Sequence, residues 1–245
     1  MKTLAAALFR LALAPALFSP FLLGSALLGS TPAFGHALVD VQADLSQREK
    51  AVVFEPDVGT PFPAFHLQAP DGHTVDLASL RGKVVVLDFT STTCADACAA
   101  QSKLMSTIQA DVAAGKMADQ VELISVSLDP ADDTPAERKA YGPAHGLTPD
   151  NWTFLAAAND RDTHHLTQAL GLNGDVEAGG PFKNSVVTYV VDSAGMLRAR
   201  FFGLTFEPLN LIVYVNALTN DHHELEQPAP AAASGSFWQS LKHWL

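Results

Sequence analysis

Val84-Val85-Val86-Leu87-Asp88-Phe89-Thr90-Ser91-Thr92-Thr93-Cys94-Ala95-Asp96-Ala97-Cys98 carries an apolar run straight into a pair of cysteines. Positions 84–89 are apolar almost throughout, as in a central strand covered on both faces. Beyond the cysteines Leu104, Met105, Ile108 and Val112 recur at helical spacing, and Gly115 supplies a stop. Cys94 and Cys98, the two cysteines of the chain, therefore stand where a strand ends and a helix begins. There the first thiol lies near unpaired backbone N–H groups and the positive end of the helix dipole, which stabilise a thiolate. The second follows about one turn later, and i and i+4 side chains share a face, so the sulfurs can meet as a disulfide or clasp a soft metal ion.

Upstream, Phe62, Phe65 and Leu67 precede Pro70-Asp71-Gly72, and Val75 and Leu77 follow it, which predicts a short hairpin. Downstream, 121–128 is a second buried strand. It leads to Thr134, an N-cap with Pro135 at the first helical position and Glu137 closing a capping box. A strand near 152–156 precedes a helical stretch near 161–170. Residues 186–191 and 197–202 flank Asp192-Ser193-Ala194-Gly195 as a hairpin, and 207–218 form a last helix. Alternating strands and helices predict an α/β fold, a central sheet flanked by helices with an N-terminal hairpin extension, and the cysteines outside the carboxyl end of a central strand. Residues 36–58 show no strong period before Val52-Val53-Phe54 and read as a lead-in, with the domain spanning 59–222.

The ends differ in kind. Residues 1–35 hold Lys2 and Arg10 as their only charges, then an uncharged stretch, then Thr31-Pro32-Ala33-Phe34-Gly35, which reads as a secretory signal cut after Gly35 or Ala37. The stretch could also remain as an anchor, although Pro15 and Pro20 inside it favour cleavage. Residues 223–236 read as a flexible linker rich in Pro, Ala and Ser. In the tail 237–245, Phe237, Trp238, Leu241, Trp244 and Leu245 share a helical face suited to a membrane surface or a protein groove, or to folding back on the domain. The formal net charge of −11 leaves no basic patch and excludes nucleic-acid binding. Export places the pair in an oxidising compartment, the periplasm, where two lone cysteines are most simply a disulfide.

The order of motifs resembles the Sco/SenC family, exported thioredoxin-fold proteins associated with assembly of the cytochrome c oxidase copper centre and with thiol redox chemistry. The resemblance covers about 59–218 and rests on Phe65 with Asp71-Gly72, on Leu80-Arg81-Gly82-Lys83, and on Asp88-Phe89-Thr90 leading to Cys94-x-x-x-Cys98. Ser127-Leu128-Asp129-Pro130-x-x-Asp133-Thr134-Pro135, Trp152-x-Phe154-Leu155 and Tyr189-Val190-Val191-Asp192-x-x-Gly195 complete it. It implies a thioredoxin-like sheet and copper held by Cys94, Cys98 and a histidine. Two positions depart from the pattern. The family's prolines after each cysteine are Ala95 and Ala99, and its copper-binding histidine is Asn184, followed by Ser185. Asparagine is a poor ligand for Cu(I), which prefers thiolate, thioether or imidazole.

The nine histidines are His36, His66, His73, His145, His164, His165, His222, His223 and His243. His164 and His165 are neighbours on a helix and point apart, and His222 with Glu226 sits at a helix end that favours histidine anyway. His36 would chelate copper only as the mature N-terminus. Asp129 and Asp133 read as helix-cap chemistry rather than a metal pair, and Asp96 between the cysteines opposes a thiolate. Zinc would need two histidines from unrelated positions, and a peroxidase a cation that 82–137 lack in arginine.

The leading reading is an exported thiol-disulfide oxidoreductase that needs no cofactor: Cys94 attacks and Cys98 resolves, or the reverse. Its partner is a protein with a disulfide or a copper site, such as a cytochrome oxidase subunit. The alternatives are a Cu(I) carrier with a third ligand from outside the family's set, and a binding module with a structural bridge. A bridge across so few residues removes little unfolded-state entropy, which argues against the last.

Overall fold

In the computed structural model β4 (Val84–Thr90) is buried at every position, and the other elements are arranged around it. The structure describes residues 38–49, 53–94, 96–172 and 186–226, the side chains of Val58 and 222–226 excepted, all within the unit 34–245. The expected signal 1–35, most of the linker, the tail 237–245, and His36, Asn184 and His243 lie outside the described residues.

In chain order come α1 (Leu38–Arg48), β1 (Phe54–Pro61), the hairpin β2 (His66–Gln68) and β3 (Thr74–Asp76), a 3-10 turn (Leu77–Leu80) and β4. Then follow α2 (Asp96–Ala114), β5 (Val121–Ser127), α3 (Pro135–His145), β6 (Trp152–Leu155), α4 (Asp160–Ala169), β7 (Val187–Val191), β8 (Met196–Phe202) and α5 (Pro208–Glu226). The main sheet has the order β1-β8-β7-β4-β5-β6. β4, β5 and β6 run parallel, and β7, β8 and β1 are antiparallel additions on the other side of β4.

Period-2 alternation sends β4 side chains into two cores. Val84 and Val86 join the core beneath α1, α2, α3 and α5. Val85, Leu87 and Phe89 join the other, beneath α4 and the β2–β3 hairpin. The first face changes character along the strands: Val84 and Val86 give way to Asp88 and Thr90, and Val121 and Leu123 to Ser125 and Ser127. Asp88 pairs in register with Ser125, and Thr90 with Ser127. The buried stripe of α2 runs from Cys98, Gln101 and Ser102 to Met105, Ile108 and Val112, with Gln109 the polar exception, bonded to Thr148 and Asn151. Polar side chains thus collect under the start of α2.

The capping box of α3 forms as the sequence predicts: the Glu137 N–H donates to the Thr134 hydroxyl and the Thr134 N–H to the Glu137 carboxylate. Gly146 ends the helix in the left-handed region at φ 78°. α2 ends at Ala114, immediately before Gly115 as the sequence predicts, and Lys116 after it takes the left-handed conformation at φ 58°.

The segment read as a lead-in carries structure. Leu38, Val41 and Leu45 of α1 are buried, and the Gln42 amide donates to the Tyr214 hydroxyl of α5 at 2.9 Å. β1 pairs with β8 as an edge strand, with a register break between Pro56 and Thr60. An edge is where a strand tolerates proline and a bulge, which is why 53–61 did not read as a strand. α5 also runs past 218 into the expected linker, ending shortly before Pro228, since 219–226 hold no Gly or Pro to stop it.

Candidate functional site: a disulfide at the head of α2

After Thr90 the chain makes one turn, in which the Cys94 N–H donates to the Ser91 carbonyl at 3.4 Å, and α2 begins at Asp96. Cys94 lies on this turn and Cys98 in the first turn of the helix. Their Cα atoms are 5.7 Å apart and the sulfurs are bonded at 2.07 Å. The two positions are unequal: Cys94 is partly exposed, whereas Cys98 is 2% exposed.

Beneath the helix start lies a buried polar group. Asp88 is 1% exposed, and burial pushes its pKa up to about 7 although Ser125 and Gln101 beside it pull the other way. Asp88 Oδ1 and Gln101 Nε2 have no hydrogen-bond partner. The Ser125 hydroxyl accepts from the Trp152 indole N–H at 3.1 Å, which leaves its own proton for Asp88. The Tyr141 hydroxyl meets Ser102 Oγ at 2.6 Å and Thr90 Oγ1 at 3.3 Å, and burial raises its pKa. Asp88, Gln101, Ser125 and Tyr141 were not singled out from the sequence as site residues. The signal was the polar turn taken at alternate positions by two adjacent buried strands.

Asp133 is a correction. It was read as cap chemistry, yet its side chain takes no part in capping α3. It is 1% exposed and faces the cysteine turn, where Oδ1 accepts from the Thr92 N–H at 2.8 Å, Thr92 Oγ1 at 2.5 Å and Ser91 Oγ at 3.4 Å. Oδ2 accepts from Ser127 Oγ at 2.5 Å. The physical reason is position: Asp133 precedes the N-cap Thr134 and the β5–α3 loop returns beside the β4–α2 turn. Asp129 joins this group only through its backbone, whose N–H donates to Ser127 Oγ at 3.1 Å. Its carbonyl accepts from the N–H groups of Asp132 and Asp133, and burial raises its pKa. Arg138, 4% exposed, donates to the carbonyls of Asp133, Gln68 and Phe154 at 3.1, 2.6 and 3.2 Å. Burial lowers its pKa and the charge of Asp133 counters that. Spent on these carbonyls, Arg138 does not present a cation to an incoming peroxide.

Five of the nine histidines have described side chains. His66 bonds Asp76 and His73 bonds Asp71 on the surface, while His145 stacks on Tyr141 with ring centres 4.1 Å apart. His164 and His165 are exposed on α4. His66 and His165 line a cleft of about 330 Å³ between β2 and α4, floored by Phe65, Leu67 and Leu166 and separate from the cysteine turn. Among the described residues no three His, Cys, Asp or Glu side chains gather to hold a metal ion. The sulfurs, bonded to each other here, become copper donors only once reduced. Among the described residues no helix is long and apolar enough to cross a membrane.

Comparison with known proteins bears on this arrangement. A SCO1 protein homolog of Bacillus subtilis is 36% identical over 91 residues, which are 37% of this chain and 46% of that protein. The chain thus matches about half the length of that curated relative. The structure of BsSco, described as a member of the Sco family of cytochrome c oxidase assembly proteins in which a disulfide switch was identified, superposes with a TM-score of 0.61 at 24% identity, covering 68% of this chain and 97% of that one. Bradyrhizobium japonicum ScoI with copper bound gives 0.53 at 23% identity, over 66% and 99% of the two chains. Both likenesses are of fold, and confirm the thioredoxin-like sheet. The SCO1/SenC family model matches residues 55–201, from the edge strand β1 through the cysteine turn and into β8, and on that match the chain belongs to the SCO1/SenC family.

Proposed function

We propose that the protein is an exported thiol-disulfide oxidoreductase whose working group is the Cys94–Cys98 pair, acting on a protein of the cytochrome oxidase copper-centre pathway. The observation that carries this reading is the inequality of the two sulfurs over a buried ionisable group. In the reduced protein the partly exposed Cys94 thiolate attacks one sulfur of a partner disulfide and forms a mixed disulfide, expelling the other partner sulfur as a thiolate. Cys98 then loses its proton and attacks Cys94 Sγ, releasing the second partner thiolate. Two electrons pass to the partner, whose two expelled thiolates take up from solvent protons equal in number to those Cys94 and Cys98 lost. The Asp88 carboxyl, its pKa pushed up to about 7 by burial and set beside Gln101 in the same buried stripe of α2 as Cys98, is the acceptor we assign to the Cys98 proton. Near neutral pH a carboxyl with that pKa gains and loses protons readily.

A second reading takes copper as cargo. It is favoured by family membership and by the copper held in a structural neighbour; two thiolates alone can hold Cu(I) linearly. Asn184 weakens it, since the usual imidazole is replaced there.

One set of variants tests both. With a disulfide-bearing partner, Cys98→Ser accumulates a mixed disulfide through Cys94 that Cys94→Ser does not form, seen on non-reducing gels and by mass spectrometry. A pair whose potential lies below about −300 mV and which exchanges with no disulfide substrate is a structural bridge and overturns the proposal. Anaerobic Cu(I) titration of reduced protein against a chelator is expected to show tighter binding by Asn184→His. Tight wild-type binding that the substitution leaves unchanged favours the copper reading.

A further inference from the structure

The turn that carries Cys94 has three hydroxyl residues in a row, Ser91, Thr92 and Thr93, and such a turn at a strand end would ordinarily bond to water. Besides its own Ser91–Thr93 bonds, it is held from a distant loop. Asp133 lies 41 residues beyond Thr92, and three of its four side-chain contacts go to Ser91 and Thr92, including the Thr92 backbone N–H. A carboxylate serving only the β5–α3 loop would find its donors there; the one local donor here is the Ser127 hydroxyl. Behind it Arg138 fixes the Asp133 backbone and ties it to β2 through Gln68 and to β6 through Phe154. The Asp133 backbone is thus anchored by one buried guanidinium that also bonds carbonyls of β2 and β6.

We propose that Asp133, backed by Arg138, is a positioning residue that holds Cys94 within reach of Cys98 when the bond between them is open. In the oxidised protein the bond itself locates Cys94. On reduction that constraint disappears, and the turn keeps its place through the Asp133 contacts. Closing the disulfide then orders little that is not already ordered, so the oxidised form is favoured. Without the contacts the reduced turn gains freedom that oxidation must remove, and the disulfide becomes easier to reduce. This inference rests on the proposed redox role for its biological meaning, but its physical content holds for any Cys94–Cys98 bond.

The test is the equilibrium with dithiothreitol, whose dithiol passes two electrons and two protons to the protein disulfide and is itself oxidised to the cyclic disulfide. Dithiothreitol also reduces a structural bridge, so a wild-type protein that fails to exchange with glutathione counts against the proposed function and leaves this comparison intact. Asp133→Asn keeps an acceptor for the Thr92 N–H but puts an amide where Ser127 donates. Thr92→Val keeps the backbone bond and removes the hydroxyl. The expected shifts toward the dithiol are about tenfold for Asp133→Ala, equivalent to about 30 mV, and smaller for the other two. Thr134→Ala, next in sequence but without contact to the turn, serves as the control: it lowers stability and leaves the equilibrium within twofold of wild type. If Asp133→Asn and Thr92→Val behave like Thr134→Ala, with stability lost and the equilibrium unmoved, Asp133 serves the fold alone and the inference is wrong. If Asp133→Ala does not fold, those two variants decide the matter.

Discussion

Asp88 shows how one residue can set a pH dependence. Its carboxyl ionises near 3.8 in an exposed chain and near 7 in the fold. Below the lower value both states are protonated, and between the two only the folded state keeps its proton. Stability therefore falls as pH rises from about 4 to about 7, and stays reduced above that. Asp88→Asn is expected to be more stable than wild type at pH 8 by a few kcal/mol, with a much smaller difference at pH 4.5. Urea denaturation at both values measures this. Parallel losses in the two proteins over that range would mean that the carboxyl is not held protonated in the fold. The residue was visible in the sequence, but its surroundings were not. In a strand buried on both faces, alternation does not separate inside from outside, so nothing local says which helix covers position 88. Asp133 was hidden for a different reason: local cap rules applied to its neighbours, and its true contacts lie across the sheet.

At the scale of elements, legibility followed the strength of local chemistry. The capping box of α3, the Pro70-Asp71-Gly72 hairpin and the β7–β8 hairpin are written in adjacent residues and formed as expected. α1 has the right spacing in Leu38, Val41 and Leu45, yet the polar residues between them leave a weak stripe that becomes a helix only by packing on α5. The end of α3 offers a check. Gly146 sits at φ 78° with Ser106 Oγ 3.1 Å from where a Cβ would stand. Its carbonyl also accepts from that hydroxyl at 2.8 Å. Gly146→Ala is expected to cost about 1–2 kcal/mol through the left-handed backbone alone. Chemical denaturation reads the loss, and a neutral result would show that the turn relaxes.

For the whole molecule, stability rests on two apolar cores and little on sulfur. The cysteines are separated by 4 positions, and closing a ring of about five residues stabilises by about 2 kcal/mol in the chain-entropy account. Reduction is expected to lower the melting temperature by about 4–8 °C, with the protein still folded at 25 °C by far-ultraviolet circular dichroism. Unfolding on reduction would make the bridge structural and remove the main ground for a redox role. The architecture also determines how the protein behaves in a crowded compartment. The two margins of its sheet are poor templates for a neighbouring chain. β1 carries Pro56, Pro61 and a break in register, and β6 has only four residues, with its continuation taken up by the Gln68–Ala156 bridge. Among the described residues, strands from other molecules therefore find no long unbroken row of edge amides on the main sheet to extend, which disfavours edge-to-edge association of the native fold.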